Sequence, residues 1–430
     1  MADWQKMYRE KLGTAADAAA AIESGDHIWF PVGAGEPYGF IMALEARKKS
    51  LRDVVTHQIL PAQAGYFDEE TSQYIKHNSL FTSGASRAAV HAGWADFTPN
   101  YFHELPRLIR EVWRSDAAGA IVSPMDEHGY FSMGLGVDYT WEALHKAKKV
   151  IFEVNPDAPR CYGNCQVHIS QVTHIYESSD PLLELPIIPL SDVDRAIGGY
   201  VAEQVRDGST LQIGFGGVPN AVCKALENKK DLGIHTEMIT DGIMELAECG
   251  AVNCSRKNFN RGKIVGTFAW GSKRLYQFMH SNPMVEMHPV DFTNEPYNVG
   301  RNDNMVAINS TIEIDLLGQC CSESMGPKQW SGTGGQVDFF RGANISKGGQ
   351  GFVTMPSTAK KGTVSRIVPA LKKGAVVTTN KNDVDKVVTE FGIAQMRGKS
   401  ARERALGLIR ISHPDFRDEL TRAAQAMNLI

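Results

Sequence analysis

The feature that most constrains the fold of this 430-residue chain is a pattern that occurs twice, 183 residues apart. Each copy contains an expected helix end, a glycine turn, an apolar strand and a glycine-rich loop closed by proline. The copies are Ile22–Pro37 and Val205–Pro219, and Gly33 of the first matches Gly216 of the second. The pattern predicts two copies of one α/β unit. Chance similarity between two strand–turn–helix segments is the alternative.

Short apolar runs alternate with helical patterns along the chain, which favours an α/β fold with largely parallel sheets. The helical patterns include Thr140–Lys149 and Asn220–Asn228. The runs that predict buried strands are Ala120–Ser123, Val150–Val154, Leu211–Ile213, Lys263–Phe268 and Gly351–Met355.

A proline-rich stretch predicts the connection between two domains. Glu177–Pro189 holds three prolines within nine residues, and proline removes backbone donors and resists helix formation. Ser191–Asp194 follows as a capping-box variant that would start a helix. We therefore expect an N-terminal α/β domain over residues 1–190 and a C-terminal α/β domain over residues 191–430.

Composition excludes several classes of function. The net charge is −4, so the chain has no overall basic field to attract nucleic acid. It has neither a run of 18 apolar residues for a membrane span nor an apolar leader at its N-terminus. Seven irregularly spaced cysteines indicate a reducing, cytoplasmic compartment. Cys161–His168 has metal-like spacing but no clear fourth ligand, so we expect no metal site.

The loop Gly214–Pro219 is the first candidate site. It follows a predicted strand and precedes a predicted helix, so it offers unpaired N–H groups to a phosphate or to an oxyanion on a carbonyl. It matches neither the dinucleotide fingerprint nor the Walker A loop. An ordinary turn is the alternative.

Glu237, within His235–Gly242, is the second candidate. An acidic residue just after a strand lies where α/β folds bind ligands. The alternative is a carboxylate that interacts with the N-terminus of the next helix.

Ser331–Ala343 is the third candidate, because four small residues precede Gln336. Backbone without side chains allows a long, thin ligand to lie against it. A flexible surface loop is the alternative. Lys360–Gly362 is suited to an anionic ligand or to a solvated turn.

Together with Ile308–Asp315, these motifs make the chain resemble the class I coenzyme A transferases. Within them it is similar to the acetyl-CoA hydrolase/transferase branch, which includes 4-hydroxybutyrate and butyryl-CoA:acetate CoA-transferases. The resemblance covers nearly the whole chain. It implies two related open α/β domains with the active site between them.

The resemblance also implies roles for individual residues. Glu237 matches the glutamate that forms a glutamyl-CoA thioester, and Asn309 is expected to hold the carboxylate substrate. The loop Val32–Glu36 is expected to face the same cleft, while His57 and Gln58 stand where the repeat would require a glutamate, so only the second copy supplies a nucleophile. The residues expected to contact CoA are Gly214, Phe215, Gly216, Gly217, Val218, Ile312, Gly335, Gln336 and Lys360.

The implied enzyme is a homodimeric, ping-pong CoA-transferase acting on acyl-CoA and short-chain acids such as acetate, butyrate or 4-hydroxybutyrate. It uses coenzyme A as a substrate and needs no tightly bound cofactor or metal. Three alternatives remain open: a thioester hydrolase on the same site, a non-catalytic CoA-binding module, and a sugar-phosphate isomerase or deaminase on a similar α/β unit.

Overall fold

The structure is a computed structural model that describes residues 4–63, 66–186 and 188–430. The chain forms two compact units. Unit 1 contains Met1–Pro186, Glu237–Asp241 and Val265–Thr293, and unit 2 contains Ile187–Thr236, Gly242–Ile264 and Asn294–Ile430. Two short segments of the second half of the chain therefore belong to unit 1. The domain limit near residue 190 stays a prediction.

The helices are given first. Within the described residues, none is both long enough and apolar enough to cross a membrane. They are α1 (Trp4–Lys11), α2 (Ala15–Ala20), α3 (Tyr38–Ala46), α4 (Glu69–Ser72), α5 (Arg87–Ala92), α6 (Leu105–Glu111), α7 (Thr140–Lys146), α8 (Asp192–Gln204), α9 (Gly217–Ala225), α10 (Asp241–Glu248), α11 (Lys273–Met279), α12 (Val290–Thr293), α13 (Pro296–Gly300), α14 (Gln336–Ile345), α15 (Ala401–Ile411) and α16 (Arg417–Ala426).

The strands are short and mostly buried, as expected for α/β layers. They are β1 (His27–Trp29), β2 (Val54–Ile59), β3 (Ile75–Phe81), β4 (Ala95–Phe97), β5 (Ala117–Val122), β6 (Tyr130–Ser132), β7 (Lys149–Val154), β8 (Tyr162–Gly163), β9 (Gln166–His168), β10 (His174–Glu177), β11 (Thr210–Ile213), β12 (Gly233–Ile234), β13 (Met238–Ile239), β14 (Ile264–Gly266), β15 (Phe268–Ala269), β16 (Val285–Met287), β17 (Met305–Ser310), β18 (Glu313–Asp315), β19 (Cys320–Cys321), β20 (Ser324–Met325), β21 (Lys328–Gln329), β22 (Gln350–Thr354), β23 (Thr358–Ala359), β24 (Val364–Ser365), β25 (Ile367–Val368), β26 (Lys386–Thr389) and β27 (Gly392–Gln395).

Unit 1 is built on a seven-stranded sheet in the order β10-β7-β5-β1-β2-β3-β4. All its strand pairs are parallel. Helices α2 and α3 cover one face, where Ile28, Phe30 and Phe40 belong to one buried cluster. The two short strands β13 and β15, from the second half of the chain, pair in parallel within this unit.

Unit 2 is built on a six-stranded sheet in the order β12-β11-β17-β22-β26-β27. Its pairs are parallel except for the antiparallel pair β26–β27. Phe339 of α14, Val353 of β22 and Leu408 of α15 lie in its core cluster. The α/β fold class with parallel sheets is therefore confirmed.

The predicted repeat is present in the local structure. Gly25 and Gly208 both have left-handed backbones, with φ of +83° and +78°, a conformation that favours glycine. Their N–H groups donate to the carbonyls of Arg52 and Lys230, both at 2.9 Å. In each unit, the strand that follows the glycine lies between two parallel neighbours.

Two predictions of local structure have different outcomes. The capping box at Ser191 is confirmed, because Ser191 and Asp194 exchange hydrogen bonds at the start of α8. The single strand predicted over Lys263–Phe268 is wrong, since β14 and β15 are separated at Thr267. The Thr267 carbonyl there accepts from the N–H of Val137, at 2.9 Å. A long-range partner thus redirects the backbone.

Candidate active site

Two neighbouring strands of unit 2 lead to the two main candidates. β11 pairs in parallel with β12 and continues into Gly214, while β12 continues through His235 and Thr236 to Glu237. The pairing extends past the strands, because the His235 N–H donates to the Leu211 carbonyl at 3.0 Å. The glycine-rich loop and the segment leading to Glu237 therefore leave the sheet at the same edge.

The loop Gly214–Val218 is open. Phe215 is 42% exposed, and β-carbons placed on Gly214 and Gly216 would have their nearest neighbours 3.9 and 3.8 Å away. Gly216 has φ of +130° and caps α9, which begins at Gly217. The first N–H groups of a helix have no intrahelical partners, so this loop has donors available for a ligand oxygen.

At Gly217, a close contact with helix α8 leaves no room for a side chain. A β-carbon there would lie 2.9 Å from Oδ2 of Asp194. That carboxylate accepts hydrogen bonds from the backbone and hydroxyl of Ser191, at 3.0 and 2.6 Å. The capped start of α8 therefore packs directly against the start of α9.

Asn309 lies at the end of β17, next to β11. Its amide exchanges two hydrogen bonds with the Gln212 amide, at 3.2 and 2.9 Å. Gln212 also accepts from the Ile308 N–H, at 3.2 Å. The structure thus places Asn309 beside the strand that leads to Gly214 and holds its side chain in a fixed orientation.

The remaining predicted CoA contacts lie on other elements of unit 2. Ile312 follows β17 and donates its N–H to Cys321, at 3.0 Å. Gly335 caps α14, and the buried Gln336 amide donates to Thr379 at 3.0 Å. Lys360 lies exposed in the turn between β23 and β24. Direct contact with the loop Gly214–Val218 stays a prediction for these residues.

Glu237 lies between β12 and β13, in unit 1. Its carbonyl accepts from the N–H groups of Thr267 and Phe268, at 2.9 and 3.0 Å. The Ala269 N–H in turn donates to the Leu135 carbonyl, at 2.9 Å. The backbone that carries the predicted nucleophile is therefore anchored in a layered set of short strands.

The loop Val32–Glu36 of unit 1 is closed, unlike its counterpart. Every residue in it is buried, and Gly33–Gly35 forms a 3₁₀ turn. A β-carbon on Gly33 would lie 2.5 Å from the Trp270 ring. The Val32 N–H donates to the carboxylate of Asp138, at 3.0 Å.

Glu36 is a buried acid with three donors around it. Its carboxylate accepts from the Gln58 amide at 2.8 Å and from the N–H groups of Ala62 and Gln63 at 3.1 and 2.9 Å. Burial nevertheless raises its pKa to about 7. Gln58, at the position where the repeat lacks a glutamate, is thus the partner of this acid.

Two buried ionisable residues near these segments could not be predicted from the sequence. Asp138 is fully buried, and burial raises its pKa to about 6. Lys257 is 3% exposed yet stands in a polar stretch typical of a surface loop. No periodicity marks either residue. Across the described parts of the chain, no group of three or more His, Cys, Asp or Glu is arranged to hold a metal ion.

Two curated relatives and a solved structure are similar to this chain over nearly their full length. Residues 1–189 match the acetyl-CoA hydrolase/transferase N-terminal domain, and residues 271–424 match the C-terminal domain of that family. The succinyl-CoA:cyclohexane-1-carboxylate CoA transferase of Geobacter metallireducens is 59% identical over 99% of this chain and 98% of its own. The 4-hydroxybutyrate coenzyme A transferase of Clostridium kluyveri is 48% identical over 97% and 98%. The crystal structure of RipA from Yersinia pestis covers 100% of both chains at 40% identity, with a TM-score of 0.96.

The chain therefore belongs to the acetyl-CoA hydrolase/transferase family. It is an enzyme of the CoA-transferase type, as both curated relatives named above are. The family and enzyme class predicted from the motifs are thus confirmed.

Proposed function

We propose that this protein moves CoA from an acyl-CoA to a carboxylate through a covalent glutamyl-CoA thioester on Glu237. One observation carries the proposal. The strand that leads to Glu237 is hydrogen-bonded to the strand that leads to the open loop Gly214–Val218. The proposed nucleophile and the backbone N–H donors of the loop are therefore located just after two adjacent parallel strands.

The reaction needs only the carboxylate of Glu237 and the two substrates. The carboxylate attacks the thioester carbonyl, the C–S bond breaks, and an acyl-glutamyl anhydride and CoA thiolate form. The thiolate then attacks the glutamyl carbonyl and releases the first acid, leaving glutamyl-CoA. A second carboxylate reverses these steps, which gives ping-pong kinetics.

We propose that the open loop stabilises the oxyanions that form during these reaction steps. Each attack places a negative charge on a carbonyl oxygen, and N–H groups at Gly217 and Val218 stand at the start of α9. One well-placed donor of this kind is worth on the order of 10²–10³ in rate. The amide of Asn309 is proposed to orient the incoming carboxylate.

The names of two relatives support a proposed substrate class. The Geobacter relative is named for succinyl-CoA and cyclohexane-1-carboxylate, and the Clostridium relative for 4-hydroxybutyrate. We propose that this chain accepts short-chain acids such as acetate, butyrate and 4-hydroxybutyrate, together with succinate and a saturated ring acid. The panel of acceptors should contain all of them.

Peptide mass spectrometry after mixing the enzyme with acetyl-CoA or succinyl-CoA, without acceptor, tests the proposal. We expect CoA attached to the tryptic peptide 231–256, which contains Glu237, Glu245 and Glu248. Adding an acceptor acid should remove the adduct and produce the acid's CoA ester. Glu237→Gln should abolish the adduct, whereas Glu245→Gln, an exposed neighbour on α10, should not.

The other outcomes identify the alternatives. Steady release of CoA without an acceptor would indicate a hydrolase. Neither adduct nor turnover with any donor would leave a CoA-binding protein. An adduct that persists in Glu237→Gln would place the nucleophile elsewhere.

A further inference from the structure

Lys257 is a buried lysine whose ammonium group is used entirely inside the protein. Its side chain is 3% exposed, and its stem lies so close to Gly233 that a β-carbon there would be 2.5 Å from Cγ. Burying an ammonium group is costly unless hydrogen bonds compensate for the lost water. A lysine buried in this way therefore needs specific hydrogen-bond partners inside the protein.

The ammonium group of Lys257 joins two separate segments of unit 2. It donates to the carbonyl of Ile234 at 2.7 Å and to the carbonyl of Lys263 at 2.7 Å. Hydrogen bonds from a charged donor are about twice as strong as neutral ones. The ends of these two segments are thus held at one point.

Both segments lie directly before the places where the chain passes from unit 2 to unit 1. Ile234 precedes the passage at Thr236–Glu237, and Lys263 precedes the passage at Ile264–Val265. Beyond the second passage, Thr267 and Phe268 donate their N–H groups to the carbonyl of Glu237. The two connecting segments are therefore bonded to each other on both sides of Glu237, by Lys257 before it and by backbone after it.

We infer that Lys257 is a positioning residue for Glu237. Resting on the proposed function, the inference is that the Lys257 ammonium fixes the backbone of both connecting segments and so holds the Glu237 carboxylate in line with the bound thioester. Small errors in the placement of a reacting group lower the rate far more than they lower binding. Removing the ammonium should therefore slow the chemical step and leave acyl-CoA binding almost unchanged.

The chain offers a matched control. Lys11 also bridges two backbone carbonyls, those of Ile169 and Val172, at 2.7 and 2.5 Å, on helix α1 of unit 1. Lys11→Met removes the same kind of contact as Lys257→Met. Any general effect of losing a lysine–carbonyl bridge should appear in both variants.

The experiment measures the rate at which the glutamyl-CoA adduct forms at saturating acyl-CoA, together with kcat, the KM for acyl-CoA and thermal unfolding. We expect Lys257→Met to slow adduct formation and kcat ~10–100-fold, with KM changed less than about threefold. Lys257→Gln, which retains an N–H donor, should be intermediate, and Lys11→Met should form adduct at the normal rate.

Each other result overturns a defined statement. A normal adduct rate in Lys257→Met, an equal loss in Lys11→Met, or a change in KM alone would contradict the role of Lys257. If Lys257→Met does not fold, Lys257→Gln decides by the same rates. Absence of the adduct from the unchanged enzyme would instead contradict the proposed function.

Discussion

The two glycine-rich loops of the repeat have similar sequences and opposite environments. Val32–Glu36 is buried throughout and packed against Trp270, whereas Gly214–Val218 is half exposed and begins a nine-residue helix. In the first loop, the Val32 N–H donates a hydrogen bond to the carboxylate of Asp138. The second has helix N–H groups free for a ligand. One copy of the motif is thus packed inside its unit, whereas the other is partly exposed.

The largest effect is expected at Glu237, which follows β12, the strand paired with the one that leads to the open loop. Glu237→Gln removes the proposed nucleophile, and we expect kcat to fall at least ~10³-fold. Retention of near-normal turnover would remove the catalytic role from this copy. Steady-state kinetics with acetyl-CoA and an acceptor acid measure the effect, with Glu245→Gln as the control.

Gly216→Ala tests the open loop itself. Its φ of +130° is nearly closed to residues with a side chain, while the space around it is open. The loop should change shape without a steric clash. We expect kcat/KM to fall ~10–100-fold, measured per folded molecule.

Gly33→Ala is the paired variant in the closed loop. Its β-carbon would meet the Trp270 ring at 2.5 Å, so we expect a loss of about 1–3 kcal/mol in the free energy of unfolding. Activity per folded molecule should stay within about threefold of normal. Urea unfolding and kinetics measure both quantities. Lost activity with unchanged stability would show that the first loop also takes part in the reaction.

Glu36→Gln tests the carboxyl group buried at the end of the closed loop. Burial raises the pKa of Glu36 to about 7 from the usual 4.5, so its contribution to stability is fully present below pH 4.5 and is lost as the pH rises through 7. The variant lacks this loss. We expect its free energy of unfolding, relative to the unchanged protein, to rise on the order of 2 kcal/mol between pH 5 and pH 8.

Denaturant unfolding at several pH values measures this difference. The comparison between the two proteins cancels the titration of the other groups. A difference that does not vary with pH would show that Glu36 is ionised in the folded protein throughout the range.

Phe215→Ala should have the smallest effect. The side chain is 42% exposed in the open loop, so its loss should change stability by less than about 0.5 kcal/mol. Its ring area is available to a bound ligand, and we expect the KM for acyl-CoA to rise about two- to tenfold. An unchanged KM would place the CoA path away from this side of the loop.

The sequence predicted the fold where local pattern determines it. Leu211–Ile213 was expected as a strand and is β11, and Ser191 was expected to cap a helix and caps α8. Alternating strand and helix patterns were enough to define the α/β class. The helix expected from Asn220 begins three residues earlier, at Gly217. The last residues of the predicted loop, from Gly217 onward, thus form the first turn of the helix.

Properties set by distant contacts could not be predicted. Gly33 and Gly216 occupy equivalent positions in the repeat, but only Gly33 meets Trp270, more than 200 residues further along the chain. Lys257 lies between Arg256 and Asn258, in a stretch typical of a solvated loop, and its burial depends on the carbonyls that surround it. The residues that neighbour these positions in sequence do not predict such distant contacts.

Unit 1 is formed by three separate segments of the chain, which has a consequence for synthesis of the protein. A ribosome that has completed residues 1–186 has not yet made Glu237–Asp241 or Val265–Thr293, which belong to the same unit. The closed loop lacks its Trp270 neighbour until then. The first unit therefore completes its fold only after most of the chain has emerged, and cutting the gene near codon 186 would yield a fragment that lacks part of its own structure.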